Sequence, residues 1–342
     1  MQHNLTGLKL GTGFFEINFD VKPETQTEKF IPRTITEHIE NKGRAFTHVN
    51  DVATLLANAE ILLQHNEKAL AIHLLRQSLY LNPYHPQALR KLGSCLSNKS
   101  ELDLKTKTGE ALVKSDFCFE TVAQLAHCYY HQNQDHKALA TYQEALSLLS
   151  EESPELFEIY KNLGNIAIRE GDFDGAEEYY NKAFTQNSRS DVLAVNKGTL
   201  ALQRNEHTEA LHQFREALQI NHRNDKAWVG LAMAHNVMGD FVLARANVGN
   251  ALDLNSENRT AVHLAAAWAI RDQDLGFAIE ALENYVSRVE CDEEMSLLLV
   301  HLFCQRSQWT EALLEVERIL LWNPTNEKVQ KIEKEIYEAR GA

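Results

Sequence analysis

FEIYKNLGNIAIREGDFDGAEEYYNKAF, residues 157–184, carries the pattern on which the fold turns. Ala176, Tyr180 and Ala183 are spaced by four and then three, which places them on one face of a helix. Small residues there let a neighbouring helix approach closely, and the large one fills the adjacent gap. Upstream, YKNLGNIAI (160–168) shows a second apolar face, and Gly171-Asp172 interrupt the chain between the two. The stretch predicts a helix, a tight turn and a helix, whose apolar faces need neighbouring units for burial.

Working outward, the same pattern returns. Ala176, Ala210, Ala244, Ala278 and Ala312 recur every 34 residues, and Ala138 precedes them at 34 plus 4. Twelve residues upstream of each stands a compact residue: Ala126, Gly164, Gly198, Ala232, Ala266 or Val300. Four residues downstream stands a larger apolar one: Tyr142, Tyr180, Phe214, Val248, Leu282 or Val316. Ala145, Ala183, Ala217 and Ala251 repeat the small residue three further on. The reading is eight units, 52–85, 86–118, 119–152, 157–190, 191–224, 225–258, 259–292 and 293–326, with residues 153–156 inserted between the third and fourth.

This pattern resembles the tetratricopeptide repeat, on Tyr160, Leu163, Gly164, Ala176, Tyr180 and Ala183 in one unit and Trp228, Leu231 and Ala232 in another. The register runs back through Leu55, Ala59, Ala71 and a closing Pro83, and forward to Pro324. The resemblance implies an all-α fold, a right-handed α-solenoid of helix-turn-helix units. It says less about function. Two departures stand out. In the second unit Lys105 replaces the expected alanine and Gly109 falls inside a helix, where it costs about 1 kcal/mol against Ala, so this unit is expected to be the weakest joint. The last unit has Val300 and Ile319 at small positions, and EKVQKIEKEIYEAR (327–340) reads as a capping helix with Val329, Ile332 and Ile336 inward, giving a C-terminal segment of 327–342.

Residues 1–51 do not repeat and read as an N-terminal extension. LTGLKL (5–10) and FFEINFDV (14–21) alternate with period two around Gly11-Thr12-Gly13, which predicts a β-hairpin. Residues 22–33, with Pro23 and Pro32, read as a linker, and ITEHIENK (35–42) as a short helix. A lone hairpin is marginal in water, so this one is expected to dock on the solenoid or on another chain, a route to self-association.

Composition limits the partners. Acidic residues number 48 and basic residues 34 in 342, a formal charge of −14, which argues against nucleic acid and anionic lipid. No run approaches the roughly 18 apolar residues of a membrane span, so no membrane insertion is expected. The start, MQHNLTGLKLGTGFF, lacks the form of a secretory signal, and five irregularly spaced cysteines fit reduced thiols. The expected location is the cytoplasm.

Enzyme signatures are absent: no phosphate-binding glycine loop, Gly-x-Ser-x-Gly turn, paired cysteines or HExxH motif occurs. His127 and His131, near Cys128 and His136, share a helix face, but zinc wants three or four ligands, so they read as polar groove residues and no metal or cofactor is expected. Cys128 and Cys304 read as buried small residues.

In this family the binding surface is the concave side, lined by the first helix of each unit. Mapping those places gives basic Arg90, Lys91, Lys161, Arg169, Lys226 and Arg271 against acidic Glu60, Glu120, Glu158 and Glu294. Basic residues are thus concentrated in a groove on an acidic chain, which favours an acidic or C-terminal-carboxylate ligand. Some relatives grip a terminal carboxylate with Lys, Asn, Asn, Lys and Arg. Lys161, Asn165, Asn196 and Lys226 occupy the first four places here, and Gly230 stands in the fifth, which loses the bidentate contact. Val195, Leu202, Val229, Met233, Val237, Leu264, Ile270, Leu297 and Leu298 make the groove more apolar further on, where some pack between helices.

The expected function is a non-enzymatic adaptor or scaffold that binds a protein or peptide in this groove. Alternatives of the same fold are an effector or polarity scaffold for a small GTPase, or a peptide-sensing regulator of another protein.

Overall fold

The computed structural model describes residues 51–149, 153–269, 271 and 274–341. The expected N-terminal hairpin, linker and short helix lie outside the described residues. These hold seventeen α-helices and no strand. The chain divides into two compact units, residues 1–151 and 152–342.

The first unit contains α1 (Val52–Gln64), α2 (Lys68–Leu81), α3 (Pro86–Cys95), α4 (Leu102–Ser115), α5 (Phe119–His131) and α6 (Asp135–Leu148). The second contains α7 (Leu156–Glu170), α8 (Phe173–Gln186), α9 (Asp191–Gln203), α10 (His207–Ile220), α11 (Asp225–Val237) and α12 (Phe241–Leu254). It continues with α13 (Arg259–Ala269), α14 (Leu275–Val286), α15 (Glu293–Gln305), α16 (Trp309–Trp322) and α17 (Glu327–Gly341). Within each unit every helix packs on the next, so burial is achieved between sequence neighbours.

The turn inside six of the repeats has a local cause. Asn66, Asn133, Asn205 and Ser307, with Gly171 and Gly239, adopt positive φ of 55–83° just after the first helix of their repeats. Asparagine and glycine tolerate this left-handed conformation better than other residues. The residue that follows then sends its N–H back to the helix end, as Asp172 N to Ala167 O at 2.8 Å and Glu206 N to Ala201 O at 2.8 Å. Acceptors start the next helices: Asp172 takes Gly175 N at 3.0 Å, Ser190 takes Leu193 N at 3.2 Å and Asn224 takes Ala227 N at 3.0 Å.

Ala138, Ala176, Ala210, Ala244, Ala278 and Ala312 are all fully buried, as are Ala145, Ala183, Ala217 and Ala251. Tyr142, Tyr180, Phe214, Val248, Leu282 and Val316 are buried beside them. The repeat register is therefore the register of the cores. In the second repeat α3 has ten residues, a 3-10 turn follows at Lys99–Glu101, and Thr106 and Thr108 are buried in α4 with their hydroxyls on Leu102 O and Leu104 O. At the C-terminus α17 lays Val329 and Ile336 into the core that also holds Val300 and Ile319.

Candidate functional site

The first helices α7, α9 and α11 position the clamp candidates of the second unit. Asn165 on α7 accepts at Oδ1 from the Tyr180 hydroxyl at 2.7 Å and from Asn196 Nδ2, on α9, at 2.8 Å. The two amides therefore come together, held by a buried tyrosine from α8. Lys161 Nζ turns instead to Glu158 on its own helix and lies 5.7 Å from the centre of the Phe157 ring, with the lysine side chain 15% exposed. Lys226 on α11 is exposed and makes no ion pair among the described residues.

The fifth place, Gly230, is buried for a steric reason. A Cβ there would stand 2.2 Å from Cε1 of the Phe214 ring, and one at Gly198 would stand 2.7 Å from the same atom. The aromatic ring occupies the space an arginine would need, so the bidentate arm is excluded by the core.

Other candidates have local partners. Lys91 Nζ is 3.1 Å from Glu60 Oε1 on α1, and Arg90 pairs with Asp116, whose hydrogen bond raises the guanidinium pKa. His127 Nδ1 lies 2.7 Å from the Tyr142 hydroxyl, with the rings edge to face, and His131 packs edge to face on Tyr130. Arg169 is exposed at the end of α7. Arg271 stacks 4.0 Å from the Phe241 ring centre and 5.1 Å from that of Trp268, with Nη1 on Asn236 Oδ1. Lys91 and Lys161 are thus balanced within the first-helix face, by Glu60 and Glu158. Among the described residues no group of three or more His, Cys, Asp or Glu could hold a metal ion. Burial pushes the Cys128 and Cys304 thiols up, away from the thiolate form.

The expected apolar stripe divides. Val195, Val229 and Leu264 are buried in cores between helices, while Val237 is exposed. What the residue reading missed is the tyrosine that anchors each polar partner. His127 and Tyr142, like Asn165 and Tyr180, are 15 residues apart, and that spacing with a hydroxyl-bearing ring is the signal.

Helix pairs at a 34-residue period, with small residues buried in register and a left-handed turn in six of the repeats, are matched by models described as tetratricopeptide repeat over residues 119–187 and 195–259. The repeats are tetratricopeptide repeats. Heat shock protein STI1 of Saccharomyces cerevisiae is 31% identical over 103 residues, 30% of this chain and 18% of that protein. Protein O-mannosyl-transferase TMTC3 of Homo sapiens is 25% identical over 139 residues, 40% of this chain and 15% of that protein. The chain thus spans less than a fifth of the length of these curated relatives. A tetratricopeptide repeat protein from Parabacteroides merdae superposes with a TM-score of 0.61 at 17% identity, covering 72% of this chain and 97% of that one, a likeness of fold. Tetratricopeptide repeats commonly mediate protein–protein interaction, and the family is generally non-catalytic. Among the described residues no helix is long and apolar enough to cross a membrane.

Proposed function

We propose that the chain is a non-catalytic adaptor of the cytoplasm that holds a protein or peptide on the first-helix face of residues 157–258. Lys226 would carry the charge, with Asn165 and Asn196 supplying a fixed amide pair and Lys161 released from Glu158 as a second cation. The observation that supports this reading most is the Tyr180–Asn165–Asn196 chain of hydrogen bonds beside a helix whose Lys226 is exposed without an ion pair among the described residues. Amides held in place before binding lose little entropy when a ligand arrives. An ammonium among them suits a carboxylate, from an acidic side chain or a chain terminus. Arg169 would extend this face along α7, and Arg271 would do so only by leaving its aromatic stack. In the first unit Arg90, Lys91, His127 and His131 are candidates for a separate contact.

The test is selection of peptides with free C-termini from a display library, followed by isotherms against wild type and Lys226→Glu. Selected peptides should weaken at least about fivefold with Lys226→Glu, the scale of losing one charged contact. C-terminal amidation should weaken them as well. Peptides that bind both proteins equally and ignore amidation would overturn the reading.

A further inference from the structure

A second surface lies among the later helices of the second unit. Between α14, α15 and α16 an open cavity of about 420 Å³ is lined by Val286, Leu299, Phe303 and Leu314, with Glu283, Glu311, Glu315 and Arg318 also on its walls. That volume falls within the range of ligand-binding clefts. Leu299 and Phe303 form a buried apolar floor, and Leu314 stands 60% exposed at the edge.

The cavity has a cause in the repeat itself. The second helices α2, α4, α6, α8, α10, α12 and α16 each have 14 residues, whereas α14 has 12 and ends at Val286. Tyr285 sits where four earlier repeats have alanine. It is buried, and its hydroxyl donates to Asp292, the N-cap of α15, at 2.9 Å. The bulky residue and the early helix end coincide with the opening, and Val286 and Ser287 lie on its wall.

The charges on the walls point to one kind of occupant. Arg318 is committed: it holds Glu315 through Nε at 2.8 Å and through Nη2 at 2.6 Å, and Nη2 also reaches Ser296 Oγ at 2.7 Å. Glu283 and Glu311 are exposed and make no ion pair among the described residues. An apolar floor under two free carboxylates, on a chain of charge −14, is complementary to a cationic amphipathic segment.

We propose that this groove docks a segment of a partner protein whose apolar side chains are flanked by lysine or arginine. The site is independent of the carboxylate-binding face, and the two surfaces take ligands of opposite charge. A labelled, capped peptide of about 14 residues built from alternating Leu-Leu and Lys-Lys pairs is the probe. Its twin has glutamate for every lysine. On the full chain the cationic peptide should bind, and the acidic twin should not. Glu283→Lys/Glu311→Lys and, separately, Leu314→Ser should each weaken binding about tenfold or more, because one reverses the attraction and the other removes the apolar edge. Both sites are exposed, and circular dichroism checks that each variant stays folded.

Asp253→Lys/Glu257→Lys makes the same change in net charge at exposed positions outside the groove and should cost less than about threefold. Lys226→Glu should not weaken the cationic peptide, which separates this surface from the one above. Equal losses in the two charge-reversed pairs would mean that net charge alone attracts the peptide, and the proposal would fall. Wild type that dimerises in sedimentation, with Leu314→Ser monomeric, would assign the groove to a second copy and overturn it too. No binding of the cationic peptide would end it outright.

Discussion

Gly230 and Gly249 are both helix-interior glycines, yet they should respond to alanine with opposite signs. At Gly249 a Cβ would meet nothing within 4 Å, so Gly249→Ala should stabilise by about 0.5–1 kcal/mol through helix propensity. At Gly230 the Cβ would overlap the Phe214 ring, which is itself buried and has little room to turn. Overpacking costs about 1–3 kcal/mol, and the propensity gain returns only part of it. Gly230→Ala should therefore lower the urea midpoint while Gly249→Ala raises it. Two shifts of the same sign would contradict the packing of Phe214 between the helices.

At the scale of helices, half-buried carboxylates tie successive repeats together. Asp191 takes Asn221 Nδ2 at 2.7 Å and Asn224 Nδ2 at 2.9 Å, and Asp225 takes Asn255 and Asn258 at 2.7 and 2.8 Å. In the next repeat Arg259 stands where those aspartates stand. It reaches forward to Asp292 at 2.9 Å and also contacts Glu294, which raises its own pKa. Burial by itself raises the Asp292 pKa, but the bonds from Arg259, Tyr285 and Met295 N outweigh it and hold the carboxyl below its ordinary value. Asp191 is lowered in the same way, with burial opposed by Asn221 and Asn224. A carboxyl with a depressed folded-state pKa contributes stability above its unfolded value near 4, and that contribution fades as pH falls through the folded pKa. Asp292→Asn should cost about 1–2 kcal/mol at pH 7, the scale of a charged hydrogen bond, and should flatten the loss of stability below pH 4. Urea titrations at pH 7 and pH 3 measure both. Wild type and variant falling in parallel would remove Asp292 from the acid response.

Across the whole molecule, each compact unit carries its own cores. The clusters around Leu75 and Leu92 belong to residues 1–151, and those around Tyr180, Phe214, Val248 and Leu299 belong to residues 152–342. Stability in such stacks is a sum over repeats and their neighbours. Residues 153–342 expressed alone should thus keep a helix-dominated circular dichroism spectrum and a cooperative melt. A fragment that stays unfolded would show that its repeats depend on the first unit. The repeat period, the buried alanines and the capping face of α17 were legible in the sequence, because each follows from spacing along a single chain with 3.6 residues per turn. Spacing also named Asn165, Asn196, Lys161 and Lys226 as candidates. It could not tell that Asn196 bonds directly to Asn165 while Tyr180 holds the same oxygen, that Lys161 turns to Glu158, or that Phe214 fills the place of an arginine. Those outcomes depend on which side chain reaches a gap between helices some 15 to 31 residues apart in the chain. The groove over Leu299 and Phe303 belongs with them, since packing alone leaves it open where α14 stops short.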